Sequence, residues 1–407
     1  MKNILFMTES YAPFPSPNGI CAKKVADCLH SKGNNTYVIT LKNAFGLLEN
    51  ENIDGTNVIR VNENLIDRLI INVSTKGNNK ILLKGLTFLS RLKGAVYGLF
   101  YPLLSISEVF RYYSAAKKIH KKNGVDVCVS NYHRMQGVLA GVLLKKKYPN
   151  IKFIVYTLDC ISGGWIPKIL HSNKLPLKSL KRWEKIIFKY ADGICVMESH
   201  RQHYKSEEYN WCRDKIKYMD IPLLELRDNS KKTINKDKVK LVFTGSMSAA
   251  TANPKYLIKL LKFLPDNYEF HIYGSIGNEI MQNIESSNLL DKKIFCHGRI
   301  NQTEIAALQN DADVLLNFGC VNANMIPCKI FEYLSAKRPI ISFYKADTDS
   351  SKPYFENFED DNEIENNAKK LMEFLKKSNN IKIDDDYVLK RYYNNTPYPM
   401  AEEILSE

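Results

Sequence analysis

The sequence lacks the signatures of several common function classes. Its nine cysteines are scattered without one Cys-x-x-Cys pair, and no secretory leader is seen, so the thiols read as buried or free in a reducing compartment. No apolar run is long and charge-free enough to span a bilayer, and the opening Ile4-Leu5-Phe6-Met7 suits a first strand. Both Gly-x-Gly-x-x-Gly and the Walker A loop are absent, which argues against a standard NAD enzyme and a P-loop NTPase. Zinc-finger spacing, a helix-turn-helix pattern and an RNA-binding aromatic signature are missing as well. The net charge of +14 therefore gives only a weak vote for an anionic partner, and no nucleic acid is expected. No internal repeat at solenoid spacing is present.

What remains is an ordinary globular composition, 44% hydrophobic and 25% charged over 407 residues. That length exceeds what one core usually serves, so two domains of roughly two hundred residues each are expected. The opening reads strand, Pro/Gly loop, amphipathic helix, a stop at Gly33 and a second strand. This is a βαβ unit, hence a doubly wound parallel sheet whose ligands bind beyond the carboxyl ends of its strands. The loop from Glu9 to Gly19 lies at such an end; Asn18 and Gly19 open the helix, where glycine admits a ligand to the backbone and helix amides face an anion. Two further strands, VDVCVSNYH and KFIVYTLDC, flank a helix from about Met135 to Lys147 and deliver Tyr132, His133 and Asp159 to the same end.

Between them, residues 65–122 mix Leu, Phe and Tyr with Lys84, Arg91, Lys93 and Arg111. Two readings stay open, helices packed in the first domain's core or an interfacial surface on a membrane. His200 and His203 read as surface histidines on a helix capped by Ser199, and neither Asp311 with Asp313 nor Asp347 with Asp349 reads as a metal pair. The polar stretch 226–238 is the linker between a first domain, 1–225, and a second, 239–385, with a terminal helical segment, 386–407, returning toward the first.

The second domain repeats the strand, glycine loop and helix pattern, with Gly245 and Ser246 placed to offer donors to a phosphate. Its most informative stretch is NMIPCKIFEYLSAKRP, Asn324 to Pro339. Pro327 suits a first helical turn, and Ile330, Phe331 and Leu334 share one face, leaving Glu332 on another. Free amides at that helix start, with Lys329 beside them, form an anion site, and Glu332 one turn on can accept from a pair of hydroxyls. An anion site backed by a carboxylate suits a nucleotide's diphosphate and ribose.

This stretch resembles the nucleotide-sugar site of GT-B retaining glycosyltransferases of the family 4 kind, in which two glutamates stand eight positions apart. Glu332 matches the second glutamate, which holds the donor ribose; the first falls on Asn324, a departure. The resemblance extends in order over nearly the whole chain. It implies an α/β GT-B fold, two Rossmann-like doubly wound domains facing across a cleft. Residues implied at the donor are Glu332, Lys329, Gly245, Ser246 (where the family usually has Arg), Lys255, Pro327 and Cys328, with Arg299 and Ile300 near the base. Asp159 replaces the family's histidine near the reacting carbon, so Asp159 and Asn324 are the implied catalytic pair. Asn18, Gly19 and His133 fall on the acceptor and diphosphate loop.

The implied activity is transfer of a sugar from a UDP- or GDP-linked donor to a glycan or lipid-linked acceptor, with retention, in bacterial surface polysaccharide synthesis such as capsule or lipopolysaccharide. No cofactor and no metal are expected, and the expected location is cytoplasmic with peripheral contact on the plasma membrane's inner face. The alternatives are a non-catalytic GT-B scaffold and a nucleotide-sugar epimerase of the same fold.

Overall fold

The computed structural model describes residues 1–13, 15–44, 46–76, 80–97, 105–163, 175–226, 237–249, 252–300, 302–319, 329–343, 363–378 and 385–406. The chain divides into two compact units, Met1–Pro222 with Asn394–Glu407, and Leu223–Tyr393.

In the first unit the strands are β1 (Asn3–Met7), β2 (Asn35–Leu41), β3 (Asn50–Ile53), β4 (Thr56–Val61), β5 (Val127–Tyr132), β6 (Lys152–Thr157), β7 (Gly193–Met197) and β8 (Ile216–Met219). Among the described residues they form one sheet ordered β3-β4-β2-β1-β5-β6-β7-β8, parallel except for β3. The helices are α1 (Pro17–Ser31), α2 (Leu65–Lys76), α3 (Lys80–Tyr97), α4 (Ile106–Asn123), α5 (Met135–Lys147), α6 (Leu175–Tyr190) and the single turn α7 (Arg201–Tyr204). Strand periodicity sends Leu5 and Met7 into a core with α4, α5 and α6, and Ile4 and Phe6 into a core with α1 on the opposite face. Helix α1 starts where Ser16 caps the Gly19 amide, with Pro17 in the first turn, and the chain turns away at Gly33 with φ +80°.

The second unit has strands β9 (Val239–Thr244), β10 (Tyr268–Tyr273), β11 (Ile294–Gly298), β12 (Val314–Phe318) and β13 (Ile340–Phe343), all parallel in the order β11-β10-β9-β12-β13. Helices α8 (Lys255–Leu260), α9 (Asn278–Ser286) and α12 (Ile364–Ser378) bury Leu257, Ile280, Ile284 and Leu371 on one sheet face. Helix α11 (Lys329–Ala336) covers part of the other through Tyr333 and Ala336, joined by Ala312 directly after helix α10 (Gln302–Asp311). The segment α13 (Asp385–Arg391) stays with this unit, tied by Lys337 to Asp385 at 2.7 Å. The chain then returns as α14 (Tyr398–Leu405), whose Met400, Ala401 and Ile404 complete the β1–α1 core of the first unit.

Several local expectations are corrected. The β3–β4 hairpin and β8 have no counterpart in the sequence reading. The terminal segment 386–407 is not one helix: a turn at Tyr393–Asn395 and Pro397 divide it, since proline disfavours helix at the residue before it. Ser199 does not cap α7; it lies in a tight turn, Glu198–His200, and His200 occupies the cap position without a side-chain bond. In α11 the buried residues are Ile330, Phe331, Tyr333, Ser335 and Ala336, while Leu334 is only half-buried. Among the described residues no helix is long and apolar enough to cross a membrane.

Candidate functional site

Strand order fixes where each sheet opens a crevice. In the first unit the chain adds strands outward from β1 on one side and from β5 on the other, so the switch point lies between β1 and β5. In the second it lies between β9 and β12. Ligands in such sheets sit outside the strand ends at these points.

At the end of β9, Gly245 has φ +149° and its amide donates to the Tyr273 carbonyl at 2.8 Å. A Cβ on Gly245 would come 3.4 Å from Lys329 Cε, which brings the glycine loop beside α11. Lys329 Nζ lies 2.9 Å from Glu332 Oε2, and Gln309 Nε2, from α10, lies 3.3 Å from the same oxygen and 3.1 Å from Thr244 Oγ1. The Tyr333 hydroxyl accepts the Thr244 amide at 3.1 Å. Glu332 is thus a half-buried carboxylate held by Lys329 and Gln309, next to the glycine loop at the end of β9.

At the first unit's switch point Glu9 follows β1 and His133 follows β5. Glu9 meets His133 Nε2 at 3.0 Å and Arg134 Nε at 2.6 Å. Burial pushes the Glu9 carboxyl up, but the bond to His133 and the charge of Arg134 prevail and hold it below its usual 4.5. The bond to Glu9 raises His133 above its usual 6.5 against its own desolvation, and the charge of Asp159 adds to the rise. Asp159 likewise counters the burial that lowers His200. The signs set a window: the His133 contribution is complete below 6.5 and fades as pH climbs through its raised value, while that of Glu9 is complete above 4.5 and fades as pH falls through its lowered one. The imidazole of His133 is expected to titrate above 6.5 by NMR and to drop back in Glu9→Gln; a value at or below 6.5 with Glu9 intact contradicts this pairing.

Among the residues singled out from sequence, Glu332, Lys329 and Gly245 come together, as do His133 and the neighbourhood of Asp159. Ser246 is exposed and receives a bond from Ser275 Oγ at 2.8 Å. Lys255 is exposed at the start of α8, and Arg299 and Ile300 follow β11. Asn18 is buried, its carbonyl accepting from Asn131 Nδ2 at 2.8 Å. Gly19 is demanded by close approach, since a Cβ would stand 2.4 Å from the Ser10 carbonyl oxygen, and its amide is already taken by Ser16. Asn324, Pro327 and Cys328 lie outside the described residues, as do Asp347 and Asp349. Asp313 accepts the Lys240 amide at 2.8 Å and Asp311 pairs with Lys240 Nζ at 2.8 Å.

Sequence reasoning did not assign Glu9, Arg134, Thr244 or Gln309. Glu9 was within reach, because it sits two residues past β1. Gln309 carried no signal, being a polar residue on a helix until its complete burial is seen. A groove of about 990 Å³ beside β4 and α4 is lined by Tyr37, Arg60, Arg111 and Lys118 and touches neither β1 nor β5, so it is set apart from these sites.

No protein-family model and no curated protein sequence matches the chain. Solved structures do. Sucrose-phosphate synthase from Thermosynechococcus elongatus is 12% identical with a TM-score of 0.56, over 100% of this chain and 95% of that one. WaaG, a glycosyltransferase involved in lipopolysaccharide biosynthesis, is 12% identical with a TM-score of 0.56, over 99% and 100%. HepE from Anabaena in complex with UDP and glucose is 11% identical with a TM-score of 0.54, over 100% and 96%. At such identities the likeness carries the fold, which is GT-B.

Proposed function

We propose that the protein is a glycosyltransferase that takes a sugar from a nucleotide-linked donor and transfers it with retention to a glycan or lipid-linked acceptor in surface polysaccharide synthesis. The observation that carries this reading is the second unit's switch point, where the Gly245 loop, Lys329 and the Glu332 carboxylate form one neighbourhood. Lys329 takes the diphosphate, and Glu332 takes the ribose hydroxyls. With this cation at the leaving group, the scheme calls for no metal there. Glu9, His133 and Asp159 serve the acceptor. The HepE structure holds UDP and glucose, and the starch synthase IV catalytic domain from Arabidopsis thaliana, with a TM-score of 0.54, holds ADP and acarbose; both support a nucleotide donor. The test is a thermal-shift panel of UDP-, GDP-, ADP- and CMP-sugars on the whole chain, followed by turnover with lipid-linked acceptors. Failure of every donor to raise the melting temperature overturns the assignment.

The location belongs to the same reading. On α3, Ile81, Phe88 and Leu92 lie on one line and are 83%, 61% and 48% exposed, with Lys84 and Arg91 on its flank. Leu83 and Leu86 face the opposite side. On α2, Leu65, Leu69 and Arg68 are exposed as well. Apolar side chains turned outward among cations suit an anionic bilayer surface, where each cation adds about 1 kcal/mol. Phe88→Glu with Leu89→Glu is expected to cut co-sedimentation with anionic vesicles severalfold. Equal binding of the native chain to neutral and anionic vesicles, or no loss in the variant, counts against it.

A further inference from the structure

Three side chains of different elements in the first unit converge beyond the carboxyl end of β6: Cys160 in the following turn, Glu184 on α6 and His203 on α7. One potential ligand atom from each lies within 4.8 Å of the other two. Cys160 is 4% and Glu184 2% exposed, and His203 is half-buried rather than the surface histidine expected from sequence. Glu184 accepts from Ser162 Oγ at 2.6 Å, Tyr209 OH at 2.7 Å and Tyr204 OH at 3.1 Å. Among the described residues no Lys or Arg forms an ion pair with it. A carboxylate removed from water requires a partner charge, a metal or a proton.

The surroundings hold the sulfur and the imidazole in fixed places. The Gly163 amide donates to Cys160 Sγ at 3.1 Å, while burial pushes the thiol up to about 11, so its proton leaves only in exchange for a cation. Glycine is needed there, since a Cβ would lie 2.9 Å from that sulfur and 3.2 Å from His203 Cε1. The His203 ring is set edge-on against Tyr204, and its Nε2 lies 2.8 Å from the Tyr209 hydroxyl.

We propose that Cys160, Glu184 and His203 bind one zinc ion, with water in the fourth position. A thiolate, an imidazole and a carboxylate are a borderline donor set that suits zinc, whereas calcium and magnesium take oxygen ligands. Zinc bonds of about 2.0–2.3 Å put tetrahedral ligands roughly 3.5 Å apart, so the side chains need only draw in modestly. On binding, the thiol proton leaves to solvent and metal bonds form to sulfur, nitrogen and oxygen. The dication then meets one thiolate and one carboxylate, giving a neutral complex fit for a buried place. Its role is to clamp the turn that carries Asp159 to α6 and α7; it takes no part in the donor site and does not depend on the proposed function.

The test strips the full-length protein with a chelator and titrates it with Co²⁺. One equivalent is expected to give a sulfur-to-cobalt charge-transfer band in the near ultraviolet, removed by one equivalent of Zn²⁺. Cys160→Ser abolishes the band, and Cys212→Ser, a buried thiol beside the same carboxylate, keeps it. Glu184→Gln, which retains the hydroxyl contacts, weakens Co²⁺ binding at least about tenfold. Absence of stoichiometric binding, survival of the band in Cys160→Ser, its loss in Cys212→Ser, or unchanged affinity in Glu184→Gln overturns the proposal. Should Cys160→Ser fail to fold, the Glu184→Gln affinity decides.

Discussion

Glu332→Ala is expected to weaken donor binding by about two orders of magnitude, because two hydroxyl-to-carboxylate bonds at roughly 1.5 kcal/mol or more each are lost, and 1.4 kcal/mol is a factor of ten. The fold should hardly notice. Glu332 lies at the edge of burial, its contact with Lys329 is an i,i+3 pair worth about 0.5 kcal/mol, and Gln309 keeps its bond to Thr244. Glu332→Gln retains an acceptor oxygen but gives up the charge, so an intermediate loss is expected. Calorimetric titration with the donor found by the thermal-shift panel separates the cases. Unchanged affinity in Glu332→Ala, with an unchanged melting temperature, removes the carboxylate from the ribose.

Gly274→Ala is expected to be the most damaging single change to the second unit. A Cβ there would stand 1.8 Å from the Gly245 carbonyl oxygen, far inside contact distance, at φ +151°, a conformation L side chains rarely adopt. The atom in the way is backbone, so relief requires the ends of β9 and β10 to part, at a cost of about 3 kcal/mol or more. For a unit of this size that lowers the melting temperature by roughly 6–12 °C. It also moves the Gly245 loop away from Lys329, so donor affinity falls beyond any loss of stability. Gly85→Ala is the control: nothing lies within 4 Å of its Cβ, it sits within α3, and a gain of about 0.5–1 kcal/mol is expected. Equal melting temperatures for the two variants would show that the glycine loops do not approach as described.

The fold was legible because its signals are local. Each βαβ repeat announces itself by a short apolar strand, a glycine turn and an amphipathic helix, and Gly33 marks a helix end without reference to any distant residue. The hairpin Asn50–Ile53 and Thr56–Val61 was not legible, since NENI alternates weakly and pairs only at the sheet edge. The sites were legible in proportion to their dependence on chain position. Gly245 could be placed by its position after a strand, and Lys329 and Glu332 by the helix start they follow. The partner that holds Glu332 from another helix, Gln309, is brought near by packing alone. The convergence of Cys160, Glu184 and His203 over more than forty residues had no signature in spacing at all.

The return of α14 bears on how the protein is made. Met400, Ala401 and Ile404 sit in the core of the unit begun by Ile4 and Phe6, and Lys2 and Lys152 hold the backbone carbonyls of Leu405 and Glu403 at 2.9 Å and 2.8 Å. During synthesis the first unit therefore waits, with one sheet face incompletely covered, until the whole second unit has emerged. A fusion or truncation near residue 400 should accordingly be felt at β1, made far earlier in the chain, before it is felt at the neighbouring stretch just made.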